Sequence, residues 1–225
     1  MKPGFDDIPQ TALEWHLAGQ GAVLATVVQT WGSAPRPVGS QMAVSGSGDI
    51  AGSVSGGCVE GAVVLEAGEA LEKGRSVILE YGISDGQALS TGLACGGTIR
   101  VMVEPIGTGI SQNMLSDLCA ARAARTPVVY AVDTASWDRR LIAPGTVECT
   151  PEIAARVASD KSGFEGSEFV AVHNPRVRLA VVGAVHIAQP LLQMARLVGF
   201  DTILIDPREA FATPARFVGE TIDND

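Results

Sequence analysis

Residues 178–211 read RLAVVGAVHIAQPLLQMARLVGFDTILIDPREAF, and this stretch decides the fold class. It is strand, glycine turn, helix, strand, acid, the opening of a dinucleotide-type βαβ unit. The nucleotide fingerprint within it is altered. Gly183 fills the first position of G-x-G-x-x-G/A and Ala188 the last, but Val185 replaces the central glycine. That glycine is what lets a pyrophosphate meet the backbone. A valine partly fills the space and disfavours positive φ. Asp206 stands where a ribose-binding acid belongs, and His186, near the helix start, is a candidate phosphate contact or a solvated capping residue. The fold signal is therefore strong, and NAD(P) is not the expected ligand.

Two strands and one helix do not make a stable open sheet. The missing strands are expected from elsewhere, most simply from a second copy of the chain in a twofold homodimer. Upstream, residues 8–18 have the pattern of a short amphipathic helix, and AVLATVVQTW (22–31) that of a strand buried on both faces. Short strands are predicted at 41–45 and 50–54, and further strands at 76–82 and 98–106. A helix follows the Gly56–Gly57 turn on the period of Val59, Val63, Ala67 and Ala70 and is closed by Gly74, and another over 111–125 is N-capped by Ser111. Residues 127–134 and 137–143 suit a strand pair. Periodicity is weak from 151 to 176, which predicts a helix fragment plus linker. The expected fold class is α/β: an N-terminal mixed-sheet domain (1–150), the linker (151–176) and a partial Rossmann-like βαβ unit (177–225).

The bulk composition narrows function. Of 225 residues, 46% are hydrophobic and 18% charged, with a formal net charge of −9. That acidity argues against non-specific binding to nucleic acid or anionic membranes. No stretch approaches the roughly 20 apolar residues of a membrane span, and the N-terminus lacks a signal-peptide pattern. A cytoplasmic location is expected, in which the four cysteines remain free thiols.

Three stretches carry chemistry. In GSVSGGCVE (52–60), Cys58 follows Gly56 and Gly57 and precedes a helix. Unsatisfied N–H groups at a helix start stabilise a thiolate, while the glycines permit close approach of a ligand. Glu60 suits the helix dipole but opposes a nearby thiolate. The alternative is a small buried cysteine filling a tight corner. Cys95 is flanked by Gly96 and Gly97 in LACGGTIRVMVE, with no helix dipole to activate it. Cys119 and Cys149 are expected to be structural. In TWGSAPRPVG (30–39), Pro35 and Pro37 stiffen the loop around Arg36, and a fixed guanidinium suits phosphate or carboxylate, with Thr30 and Ser33 as hydroxyl donors.

Taken together, TVVQTWGSAPRPVGSQMAV, GSVSGGCVEGAVV, GLACGGTIRVMVEP and VVGAVHIAQPLLQMARLVGFDTILIDPREAFATPARF resemble the XdhC/CoxI family in order and spacing. The matching residues are Gly32, Ser33, Pro35, Arg36 and Gly39, then Ser55, Gly56, Gly57, Cys58 and Glu60, then Cys95, Gly96 and Gly97, and finally Gly183, His186, Asp206, Arg208 and Phe211. Val185 departs from the family's usual glycine. The chain also ends before the family's Rossmann-like domain is complete. The resemblance implies a maturation factor that binds the molybdenum cofactor (molybdopterin), protects it while its terminal sulfur is installed, and delivers it to an apo molybdenum hydroxylase of the xanthine dehydrogenase or carbon-monoxide dehydrogenase type.

On that basis Ser33, Arg36, Ser55, Gly56, Gly57, Cys58, Glu60, Cys95, Gly96, Gly97, Gly183, His186 and Asp206 are the candidate cofactor-binding residues. Cys58 and Cys95 are the candidate metal ligands, meeting at one cleft. The expected role is a non-catalytic accessory one. Two alternatives are a nucleotide-dependent oxidoreductase using Cys58, and a scaffold linking a cysteine desulfurase to its client.

Overall fold

The computed structural model of the chain describes residues 7–82 and 96–225. It divides into two compact units, Asp7–Asn174 and Pro175–Asp225 among the described residues.

The larger unit is built on two antiparallel sheets. The first has the order β3-β2-β1-β5-β4, with β1 spanning Ala22–Trp31, β2 Gln41–Ser45, β3 Ile50–Gly52, β4 Val77–Tyr81 and β5 Thr98–Pro105. Central strand β1 has no polar face, because both of its sides are covered. Leu24 and Val28 enter a core with helices α1 (Ile8–Leu17) and α3 (Gln112–Ala123), while Val23, Ala25 and Val27 face helix α2 (Glu60–Lys73) through Val63, Ala67 and Ala70. A register shift between Val27 and Gln29 interrupts the β1–β5 ladder. It falls just before the loop that carries Arg36.

The second sheet has the order β7-β6-β9-β8, from β6 (Val128–Asp133), β7 (Arg139–Ile142), β8 (Gly163–Glu165) and β9 (Glu168–His173). Tyr130, Val132, Phe169 and Ala171 pack into the same core as α1 and α3. The other face (Val129, Ala131, Ile142, Val170) is covered by Ile153 of α4 (Pro151–Ser159). Residues 151–176, expected as a helix fragment and linker, thus hold one helix and two strands. The reason is local. EFVAVH alternates Phe169 and Ala171 toward one core with Val170 and Val172 toward the other, so a six-residue strand buried on both faces shows no polar stripe.

The smaller unit is a parallel sheet, β10-β11-β12, with β10 at Arg178–Val182, β11 at Asp201–Ile205 and β12 at Thr221–Asp223. Helix α5 (Ala188–Leu197) connects β10 to β11 and buries Ala188 and Leu192 against Ala184, Leu204, Ala212 and Phe217. The third strand goes beyond the two that the sequence pattern shows. The fold class is α/β, with a Rossmann-like C-terminal region; the N-terminal sheets, expected to be mixed, pair antiparallel throughout their described strands.

Candidate functional site

The loop between β3 and α2 is organised by one buried carboxylate. Glu60 opens α2 and turns back over the residues before it. Its Oε1 accepts from Ser53 Oγ (2.6 Å), Ser55 N (2.9 Å) and Val54 N (3.2 Å). Its Oε2 accepts from Ser55 Oγ, Gly57 N (2.9 Å) and Val59 N (3.2 Å). Gly56 and Gly57 hold φ of +78° and +115°, a combination that L side chains avoid, and so wrap the amides around the carboxylate. Burial alone would raise the pKa of Glu60. The hydroxyls of Ser53 and Ser55 and the Ser55 amide outweigh it and lower the value from 4.5 to about 2.

This arrangement corrects the roles expected of the loop. The Gly57 amide is bonded to Glu60, and the Gly56 amide donates to Ser53 Oγ at 2.8 Å. Ser55 is buried, its hydroxyl bonded to Glu60 and accepting from Val59 N. Neither glycine amide is turned out to a phosphate, and Glu60 itself is occupied. Cys58 is exposed, not the buried corner-filler of the alternative reading. It precedes the N-cap, Val59, rather than lying inside the helix.

One other glycine-bearing segment, 31–36, meets this loop, and a third, 96–97, meets that segment. A methyl group placed on Gly97 would lie 2.9 Å from the Ser33 carbonyl oxygen and 3.0 Å from that of Trp31. Only glycine allows segments 31–33 and 96–97 to approach so closely. Gly32 faces the Cα of Gly97, and Gly56 faces Pro35, with 3.5 Å and 3.8 Å from the positions that Cβ atoms would take. Segment 31–36 therefore packs against 96–97 near its start and against the 53–58 loop near its end. Ser33 is exposed. Arg36 is partly buried, and its Nε is sealed from solvent with no hydrogen-bond partner among the described residues. An orphaned donor of this kind marks a place for an acceptor. Cys95 lies outside the described residues. Among the described residues, no three His, Cys, Asp or Glu side chains group as a metal cage. Sequence reasoning passed over Trp31, 45% exposed beside Gly97, and Ser53, which couples Glu60 to the Gly56 amide.

The C-terminal turn is closed differently. Asp206, buried, accepts from Ala184 N at 2.7 Å and from Arg208 through its backbone N, Nε and Nη2 at 2.9, 2.9 and 2.7 Å. The Arg208 side chain is the main cause that holds this carboxyl well below the usual range. Gly183 (φ +107°) donates to Ile205 O, and Val185 and His186 are exposed. An acid expected to meet a ribose thus ties the glycine turn to Arg208, whose guanidinium lies 4.2 Å from the Phe211 ring centre.

Sequence comparison agrees with this division. Residues 15–82 match the XdhC and CoxI family, and residues 179–222 match the XdhC Rossmann domain. The chain belongs to the XdhC and CoxI family. Among relatives of this XdhC/CoxI protein, one from Escherichia coli K12 named molybdenum cofactor insertion chaperone PaoD is 31% identical over 195 residues, covering 87% of this chain and 56% of that protein. Another relative, from Bacillus subtilis, bears the name of a probable xanthine dehydrogenase subunit and is 28% identical over 208 residues, covering 87% and 62%. The chain thus spans little more than half the length of the curated relatives it matches. The crystal structure of a xanthine dehydrogenase from Bacillus halodurans shares the fold, with a TM-score of 0.75 at 24% identity over 97% of this chain and 68% of that one. No helix among the described residues is long and apolar enough to cross a membrane.

Proposed function

We propose that this XdhC/CoxI protein is a non-catalytic maturation factor. It binds the molybdenum cofactor, shields it during sulfuration, and hands it to an apo molybdenum hydroxylase of the xanthine dehydrogenase kind. One observation carries the reading. Segment 31–36 packs against both 96–97 and the glycine loop that carries the exposed thiol of Cys58, and it bears Arg36, whose Nε has no hydrogen-bond partner among the described residues. Molybdopterin joins a phosphate to a soft, dithiolene-bound metal. Soft metals take thiolates, and phosphates take fixed guanidinium groups. Cys58 and Arg36 supply both chemistries, so the residues present fit the group. Family membership and the name of the Escherichia coli relative support the same reading. Within it, Cys95 is a second thiolate, and a cysteine desulfurase supplies the sulfur.

Pairing with a second copy belongs to the same proposal. Helix α5 and the turn before it expose Ile187, Leu191, Met194 and Val198, a stripe at helical spacing that carries no charge. Two such stripes meet around a twofold axis without like-charge repulsion. Strand β10 pairs only with β11 among the described residues, so its outer edge is open to continue the sheet.

The competing reading is a nucleotide-dependent oxidoreductase. The hydrogen bonds that already engage Asp206 weigh against it. Purification from a molybdenum-replete host, followed by metal and pterin analysis, tests the proposal. Near-stoichiometric cofactor in the wild type and its loss in Cys58→Ala and Arg36→Ala are expected. Equal retention by all three proteins, or tight NAD(P) binding in place of pterin, overturns it.

A further inference from the structure

Helix starts and glycine turns offer clustered amides that attract anions. In this loop the anion is already present, as part of the chain. Both carboxylate oxygens of Glu60 sit inside the arc formed by the amides of Val54, Ser55, Gly57 and Val59 and the hydroxyls of Ser53 and Ser55, three donors to each oxygen. Cys58 stands between two residues whose amides are held by the same oxygen, Oε2. The thiol is exposed while its neighbour Val59 is buried in the sheet–α2 core.

We infer that Glu60 is an internal anion that positions Cys58, so that a ligand meets this loop through the cysteine sulfur while its anionic group falls to Arg36. The inference deepens the proposed function and rests on it for the ligand's identity. It has a consequence of its own that does not depend on that identity. Removing the carboxylate leaves an empty cradle of donors of the size of a small carboxylate. A buried donor set without an acceptor is costly, so a small free anion is drawn into the gap.

The test uses the full chain as wild type, Glu60→Ala and Glu60→Gln, each isolated from a molybdenum-replete host. Thermal unfolding is followed across a formate titration, and pterin content is measured per folded protein. Formate is expected to raise the Tm of Glu60→Ala by several degrees and to leave the wild type unmoved. Cofactor retention in Glu60→Ala is expected to fall at least tenfold and to recover in part with formate. Glu60→Gln keeps the side-chain volume but turns an amide donor toward donors. It is expected to stay folded by circular dichroism and still lose retention. This variant decides the matter if Glu60→Ala does not fold. Wild-type retention in Glu60→Gln, or an absence of formate effect on folded Glu60→Ala, overturns the inference. A wild type that carries no pterin overturns the functional reading instead, and the formate titration still reports on the cradle.

Discussion

The two glycine turns of this protein use the same lock and leave different things outside it. Before α2, Glu60 gathers the amides of 54, 55, 57 and 59. After β10, Asp206 holds the amide of Ala184 and the side chain of Arg208. In each case an internal carboxylate occupies donors that a phosphate would otherwise seek. The first turn then projects a free, exposed thiol from a loop that packs on segment 31–36. The second presents Val185 and His186 to solvent and ties its acid to a neighbouring arginine. A glycine-rich strand–helix corner is therefore not by itself an anion site. What the lock leaves exposed determines what the turn can do.

The comparison breaks most sharply at the two exposed side chains. Cys58→Ser removes the soft ligand but no buried surface. A drop in cofactor retention of tenfold or more is expected, with stability unchanged within about 0.5 kcal/mol, as for ordinary surface substitutions. His186→Ala, at the matching place of the other turn, is expected to leave retention unaltered. Metal and pterin analysis of the two variants checks both. A loss in His186→Ala equal to that in Cys58→Ser would make the turns functionally alike.

The next effect is one of packing. At Gly97 an added methyl meets two backbone carbonyl oxygens, which cannot swing aside as a side-chain tip would. Gly97→Ala is expected to cost about 1–3 kcal/mol, the usual range for overpacking. The same change at Gly183 meets no atom within 4 Å, but its φ of +107° strains any L residue. It is expected to cost about 1–2 kcal/mol. Denaturant midpoints measured on both variants rank them. Gly97→Ala should also lower cofactor retention, because it forces segment 31–33 away from 96–97.

Much of this was legible in the sequence, and the gaps have physical causes. The period of Val59, Val63, Ala67 and Ala70 marks a helix face, and all four are buried. Strand β1 is readable because a β-branched run suits a strand covered on both sides. Strand β9 is hidden for a related reason, since burial on both faces removes alternation from a segment only six residues long. Strand β12, Thr-Ile-Asp, is too short and polar to announce itself. At the site, the glycines and cysteines attract notice by their rarity in such company. The lock does not, because a carboxylate that reaches back to amides one to six residues upstream follows no repeat. That the segments around Gly32 and Gly97 meet also depends on sheet order, which places β5 beside β1.

Acid sharpens the comparison further. The folded-state pKa of Glu60 is about 2 against an ordinary value of 4.5. Its charge therefore contributes stability that is fully present above about pH 4.5 and is lost as pH falls toward 2. Asp206 is shifted in the same direction. Stability of the wild type should fall over this window, and Glu60→Gln should flatten the part of the slope that belongs to the cysteine loop. Urea unfolding at a series of pH values reads the difference. A slope unchanged in Glu60→Gln would mean that the loop draws little on this charge.

The smallest expected effect concerns the altered fingerprint. Val185 is 44% exposed and is not among the residues with positive φ, so Val185→Gly removes little packing and relieves no strain. It does restore the central glycine of the nucleotide motif. If that valine alone had closed the site, the variant would gain NAD(P) binding. Asp206, however, remains bonded to Ala184 and Arg208 whatever stands at 185. A ribose could recruit it only by displacing donors that hold the turn together. Calorimetric titration of NAD and NADP into Val185→Gly is therefore expected to show no heat of binding. A measurable affinity would place the restriction in the valine rather than in the clamp, and would reopen the C-terminal turn as a nucleotide site.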